Sequence, residues 1–316
     1  MKSKEEILRN SAVVCALALL CCALWGSAFP CIKIGYKLVG IGGQNSGNGS
    51  RIMYAGLRFI LAGIMVIIVG SVQQKKIMVP KTFSTVKRIF ILSLFQTILQ
   101  YIFFYIGLSN TSGAKASIIE GANVFVAILV SVFMFRQEKL TFKKSIGCLV
   151  GFAGVVMANV CGSGGMDFSF KFTGEGYILI STFAYGISAA LMKEYSKEDD
   201  TVKLSGYQFL CGGIILTISG WLMSGRFSIN GAGAVTMLLY LAFVSAAAYT
   251  IWGILLKYNP LSKVAVFGFM NPVFGVILSM LLLSEDSVPV IVSVMALLLV
   301  SCGIVIVNGR GKKGVD

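Results

Sequence analysis

The amino-acid sequence predicts an all-α membrane protein of ten transmembrane helices, arranged as two inverted five-helix repeats. Three observations predict it: the composition, a succession of apolar stretches each about one bilayer long, and a duplication within the chain. Of 316 residues, 56% are hydrophobic and only 13% charged, whereas soluble domains average about 25% charged and 45–50% apolar. The 27 Lys and Arg outnumber the 13 Asp and Glu. Such an excess suits nucleic acid when the cations gather on one face; here they punctuate apolar stretches, so no nucleic-acid partner is expected. There is no His, and the 8 Cys contain no C-x-x-C pair. The commonest metal ligand and general base is therefore missing, and no metal, cofactor or disulfide framework is implied.

A helix crosses the hydrocarbon with about 20 apolar residues. That ruler lays out spans at 11–36, 52–72, 88–108, 114–135, 145–161, 175–195, 204–224, 232–256, 264–284 and 288–308. The first begins like a signal peptide but lacks a clear A-x-A site, and it is expected to be retained. An even count puts both termini on one side. That side carries 20 of the 27 Lys and Arg, the other carries 6, and Arg58 lies inside the second span. The positive-inside rule therefore predicts cytoplasmic termini for a protein of the cell membrane. No connection is long enough to fold as a soluble domain, so any chemistry belongs between the helices, with the lipid bilayer around them.

Cutting at the Gly-rich segment 162–174 leaves residues 1–161 and 175–308 as two repeats, with a tail at 309–316. Leu57-Arg58-Phe59-Ile60 lines up with Tyr207-Gln208-Phe209-Leu210, Val124-Phe125 with Val273-Phe274, and Gly154 to Asn159 with Gly303 to Asn308. Trp25-Gly26 followed by Lys33 echoes Tyr185-Gly186 followed by Lys193. Three of the four matches share an offset of 149 to 150, which chance agreement between apolar stretches does not produce. Five is odd, so the copies enter the membrane from opposite sides: Lys115 is predicted outside and its counterpart Lys263 inside. Inverted repeats are an architecture of secondary transporters, because one unit inserted both ways gives halves that exchange two conformations.

Trp25-Gly26-Ser27-Ala28-Phe29 with Lys33, Leu57-Arg58-Phe59, and Asn271-Pro272-Val273-Phe274 through Glu285 resemble the drug/metabolite transporter superfamily, specifically its EamA-type members. The resemblance covers nearly the whole chain. It implies a central cavity lined by the first, third, fourth, sixth, eighth and ninth spans, with the fifth and tenth at the periphery. It also implies a small-molecule substrate: mostly exported amino acids and other small metabolites, with nucleotide sugars or sugar phosphates exchanged by distant members. One departure is Gly121-Ala122-Asn123-Val124-Phe125, where members often have Pro, as the second repeat does at Pro272. The fourth span is therefore expected to be straighter than the ninth, or to bend at Gly121.

An ionisable residue inside a span costs roughly 2.5–3.5 kcal/mol and is a functional candidate by default. Glu120 and Arg58 each sit about six residues into a span that starts outside, roughly 9 Å deep at a rise of about 1.5 Å per residue. Either they pair and lock two helices, or Glu120 faces the cavity to bind a cationic group or carry a coupling proton. Asn123 lies one turn on and adds a polar group to the same face. The third span offers Gln96 and Gln100 with Tyr101 and Tyr105. Apolar surroundings make amides seek a partner, either across the bundle or in a ligand. The eighth offers Ser245, Tyr249 and Trp252, and its aromatic pair aligns with Tyr101 and Phe104 at an offset of 148; such stripes serve packing or substrate contact. Trp25 is either an interfacial anchor or, as the resemblance implies, a cavity residue. Pro272 frees a carbonyl beside Asn271, so the ninth span is expected to bend and offer polar backbone. Gly147-x-x-x-Gly151 reads as close packing within the chain, or alternatively as a homodimer contact.

No G-x-x-x-x-G-K-[ST] motif occurs, so energy would come from a proton or substrate gradient. These features together predict an exporter of a small amino acid or amine-bearing metabolite, working by alternating access, through proton antiport at Glu120 or as a uniporter. Organic-solute exchange is the alternative. A channel is disfavoured by the repeats, and an enzyme by the lack of a nucleophile–base pair.

Overall fold

The computed structural model describes residues 4–41, 47–111, 119–160, 170–283 and 290–308. Lys115, Glu285, most of the 162–174 connection and the tail from 309 fall outside the described residues. Among the described residues there are helices and no strand: α1 (Lys4–Arg9), α2 (Ser11–Leu38), α3 (Asn48–Gln73), α4 (Phe83–Leu108), α5 (Ile119–Met134), α6 (Phe142–Val160), α7 (Phe172–Tyr195), α8 (Thr201–Leu222), α9 (Ala232–Tyr258), α10 (Leu261–Ala265), α11 (Met270–Leu283) and α12 (Val290–Asn308). Six of them, α2, α3, α4, α7, α8 and α9, are long and apolar enough to cross a membrane, and α5 is a shorter apolar helix. The remaining predicted spans are helical where described. Ten crossings remain a reading of the sequence.

Local chemistry sets the starts. Asn10 caps α2 by accepting from the Ala12 amide at 2.9 Å, Thr82 caps α4 through the Thr85 amide at 3.2 Å, and Asp200 caps α8 through the Lys203 amide at 2.9 Å. Each satisfies a backbone donor that the first helical turn leaves orphaned.

Packing follows the duplication. Helix α2 lies against α9 and α11, and its repeat-mate α7 lies against α4 and α5; α3 crosses α8, and α6 packs on α12. Exchanging the two repeats maps this set of contacts onto itself. Gly26 on α2 meets α11 at Phe274 and Gly275, and Gly186 on α7 meets α5 at Val126 and Ala127, so the motifs matched in the sequence also make matching contacts.

The α3–α8 crossing is the tightest seam. Glycines recur every seven residues on both helices, at Gly49, Gly56, Gly63 and Gly70 and at Gly206, Gly213 and Gly220. A seven-residue step returns nearly to the same face of a helix. A Cβ added at Gly49 would stand 2.8 Å from the Gly220 carbonyl oxygen, one at Gly56 2.8 Å from that of Gly213, and one at Gly63 2.7 Å from that of Gly206. The pairing is antiparallel, and at an offset of 150 the pair Gly56–Gly213 becomes Gly206–Gly63. A local two-fold axis therefore passes between these pairs. At Gly147 a Cβ would stand 2.9 Å from the Gly303 carbonyl oxygen of α12, so this face is used for packing within the chain.

Candidate functional site

The backbone departs from regular helix where the lining forms. Within α4, Leu94–Leu99 is a π-helical stretch, which re-aims the following side chains; single π turns inside α-helices often occur at functional sites. Between α10 and α11 the chain tightens into a 3-10 turn, Val266–Phe269. Pro272 has no N–H to donate to the carbonyl of Gly268, and its ring crowds that group. The expected bend therefore lies in the turn before the proline. Helix α5 has no proline, yet its hydrogen bonding is interrupted at Ala122, where ψ is −10°. The break is one residue from the expected Gly121, at the repeat equivalent of Asn271.

These irregular stretches surround one cavity of about 120 Å³. Its lining takes in Trp25, Arg58, Gln100, Tyr101, Glu120, Asn123, Tyr249, Asn271 and Pro272. Trp252 is not part of it: that ring is buried behind Trp25, with centroids 5.0 Å apart, and packs rather than lines. Phe29, Phe104, Tyr105 and Tyr185 also line the cavity. Tyr185 carried a readable signal in the sequence, since it is the repeat-mate of Trp25.

Arg58 and Glu120 share the cavity without bonding to each other. Arg58 Nε donates to the Ser245 hydroxyl at 2.8 Å and the Leu241 carbonyl at 3.1 Å, and the guanidinium carbon lies 5.4 Å from the Phe59 ring centre. Among the described residues Glu120 has no hydrogen-bond or ion-pair partner, so of the two alternatives the lock between α3 and α5 is not made here. The indole N–H of Trp25 and the side-chain oxygens of Gln100, Asn123 and Asn271 are likewise buried with no protein partner. Buried polar groups are normally satisfied, and leaving one unmade costs about 1–3 kcal/mol. A cluster of them around one cavity is therefore a set of contacts waiting for a solute or water. Tyr101 and Tyr249 join hydroxyls at 3.0 Å across the repeats.

One end of the bundle is tied shut. The Glu138 carboxylate, between α5 and α6, accepts from the Ser262 amide at 2.8 Å, the Ser262 hydroxyl at 2.5 Å and Lys144 Nζ at 2.6 Å. Gln137 Nε2 donates to the Ala190 carbonyl at 2.9 Å, and Lys193 Nζ donates to the Leu256 and Asn259 carbonyls. Asn259 in turn reaches the Leu8 carbonyl at 2.9 Å, which places this clasp at the end where α2 begins. Glu120 is at the opposite end of α5. The clasp was not among the sequence candidates because its members lie in connections and at helix ends, where polar residues are ordinary.

The sequence profile of the EamA-like transporter family matches residues 12–160 and 172–309. The chain is 29% identical over 193 residues to the uncharacterized transporter YvbV of Bacillus subtilis, covering 60% of this chain and 61% of that protein. It is 27% identical over 187 residues to a chloroplastic WAT1-related protein of Arabidopsis thaliana, covering 57% of this chain and 45% of that one. The match thus spans less than two thirds of either relative. A solved structure described only as that of a protein superposes with a TM-score of 0.75 over 94% of this chain and 98% of its own, at 16% identity, and so shares the fold. The two family matches, 12–160 and 172–309, together cover most of the sequence, and the chain belongs to the EamA-like transporter family.

Proposed function

We propose that the protein exports a small amino acid or related amine-bearing metabolite across the cell membrane by alternating access, with Glu120 as the group that meets the amine. The observation that carries this is the Glu120 carboxylate, which lines the cavity and has no protein partner among the described residues. A cation that reaches an unpaired carboxylate in low dielectric gains a charge-assisted hydrogen bond, roughly twice as strong as a neutral one. Gln100, Asn123 and Asn271 present amides, and Trp25, Tyr101 and Tyr249 present aromatic faces that favour cations and apolar groups. At about 120 Å³ the cavity is below the ~300–1,000 Å³ of pockets for drug-sized ligands. It suits a solute of a few heavy atoms.

With ten spans and cytoplasmic termini, the Glu138 clasp closes the inner side, and the cavity faces outward. Proton antiport follows if Glu120 holds a proton when it does not hold the amine. The test is counterflow of radiolabelled amino acids in proteoliposomes, with wild type and Glu120→Gln compared across external pH. We expect saturable wild-type exchange and a loss of about tenfold or more in Glu120→Gln, with a flattened pH profile. Unchanged rate and pH dependence in the variant would remove Glu120 from the mechanism. Exchange that never saturates would indicate a channel, and a chemically altered solute an enzyme.

A further inference from the structure

Arg58 has a counterpart that explains half of what it does. At an offset of 150 its place on α3 corresponds to Gln208 on α8, and at an offset of 148 Ser245 on α9 corresponds to Thr97 on α4. The contact is duplicated too. Arg58 Nε donates to Ser245 Oγ at 2.8 Å, and Thr97 Oγ1 donates to Gln208 Oε1 at 2.7 Å. All four residues are buried. Each pair ties the second helix of one repeat to the third helix of the other, and the Gln208 version shows that a neutral amide is enough for that task.

The positive charge is therefore surplus to the tie. Burying a cation is costly unless something compensates it, and a chain that needed only the tie could carry Gln at both positions. The two sites differ in one further respect: Arg58 lines the cavity and Gln208 does not. With Nε committed to Ser245 and Leu241, the terminal guanidinium nitrogens make no protein hydrogen bond among the described residues. That edge of the fork is the one that takes a carboxylate in two parallel bonds.

We infer that Arg58 binds an anionic group of the solute, a carboxylate, and that Ser245 is the positioning residue that fixes Nε and so aims the free edge. The inference rests on the proposed solute cavity and adds a second pole to it, opposite in sign to Glu120. Both charges line the one cavity and make no bond to each other.

The experiment measures thermal unfolding of the purified full chain in detergent, with three probes: L-alanine, propionate (the acid without the amine) and ethylamine (the amine without the acid). A ligand that binds only the folded state raises its apparent stability. Wild type should be stabilised by alanine and by propionate. Arg58→Gln, which can rebuild the tie as Gln208 does, should weaken binding of both by about tenfold or more and leave ethylamine unchanged. Ser245→Ala should weaken propionate and alanine by a few fold, roughly as the loss of one hydrogen bond does, and Ser245→Thr, the residue type found at 97, should restore them. The serine variants keep the test informative if Arg58→Gln does not fold. Failure of alanine and propionate to stabilise wild type, or equal losses for propionate and ethylamine in the variants, would overturn the inference. If ethylamine alone binds, the Arg58 assignment falls and the Glu120 reading stands. If propionate alone binds and Arg58→Gln abolishes it, the reverse holds.

Discussion

Tyr101 and Tyr249 occupy equivalent places in the two repeats and touch each other through their hydroxyls, with Trp25 edge-on to Tyr249 at 5.0 Å between ring centres. Tyr101→Phe should cost about 1 kcal/mol of stability for the lost hydrogen bond, and the double variant with Tyr249→Phe should cost less than the two singles together. A double-mutant cycle on unfolding midpoints checks this. Outside the spans, Asp199 offers a pH test. Burial alone would raise its carboxyl, but the Arg88 guanidinium at 2.7 Å and the Thr85 hydroxyl at 2.7 Å outweigh burial and hold it below its ordinary value. A depressed carboxyl stabilises the fold above its unfolded pKa and stops doing so as pH falls through the folded value. Asp199→Asn should therefore lower the unfolding midpoint at neutral pH, and the difference from wild type should close below about pH 4, where the unfolded carboxyl protonates. Intramembrane charge was legible in the sequence because ionisable groups are rare and costly there. The partner choice of Arg58 was not: depth along the helix does not say which way a long side chain turns, and the serine that takes it lies 187 residues away.

Among the helices, the α3–α8 seam depends on having no side chains at all. A Cβ at Gly56 would meet the Thr217 amide nitrogen at 2.5 Å, and backbone cannot swing aside as a side chain can. Gly56→Ala should destabilise by about 1–3 kcal/mol through overpacking, while Gly233→Ala, where the nearest neighbour would be Leu38 at 3.8 Å, should be close to neutral. Unfolding midpoints of the two variants decide it. The long apolar helices were visible from hydropathy, since lipid permits little else. The break at Ala122 was harder to see, because no proline marks it; only its repeat-mate, the Pro272 bend, pointed near it. The glycine period on α3 and α8 is plain in the sequence, but it says that something packs closely there without saying what.

In the molecule as a whole, the matches found by aligning the repeats return as contacts: Gly26 on α11, Gly186 on α5, Arg58 on Ser245, Thr97 on Gln208. Pairing between repeats was beyond sequence reasoning because alignment shows which residues correspond and is silent on which of them touch. Function differs from fold here. Arg58 and Glu120 have no charged repeat-mates, Gln208 and Phe269 standing in their places, so the symmetry of the fold does not extend to these two charges.

The seam on α3 and α8 has one further consequence. Because its glycine pairs exchange under the repeat symmetry, each half presents to the other the surface that it would present to an upside-down copy of itself. Severing the chain in the 162–174 connection and expressing the two pieces together should therefore give a complex that copurifies and unfolds cooperatively near the intact protein's midpoint, and Gly56→Ala or Gly213→Ala in one piece should abolish the pairing. Pieces that fail to copurify when neither carries a substitution would show that the covalent joint, and not the glycine crossing, holds the halves in register.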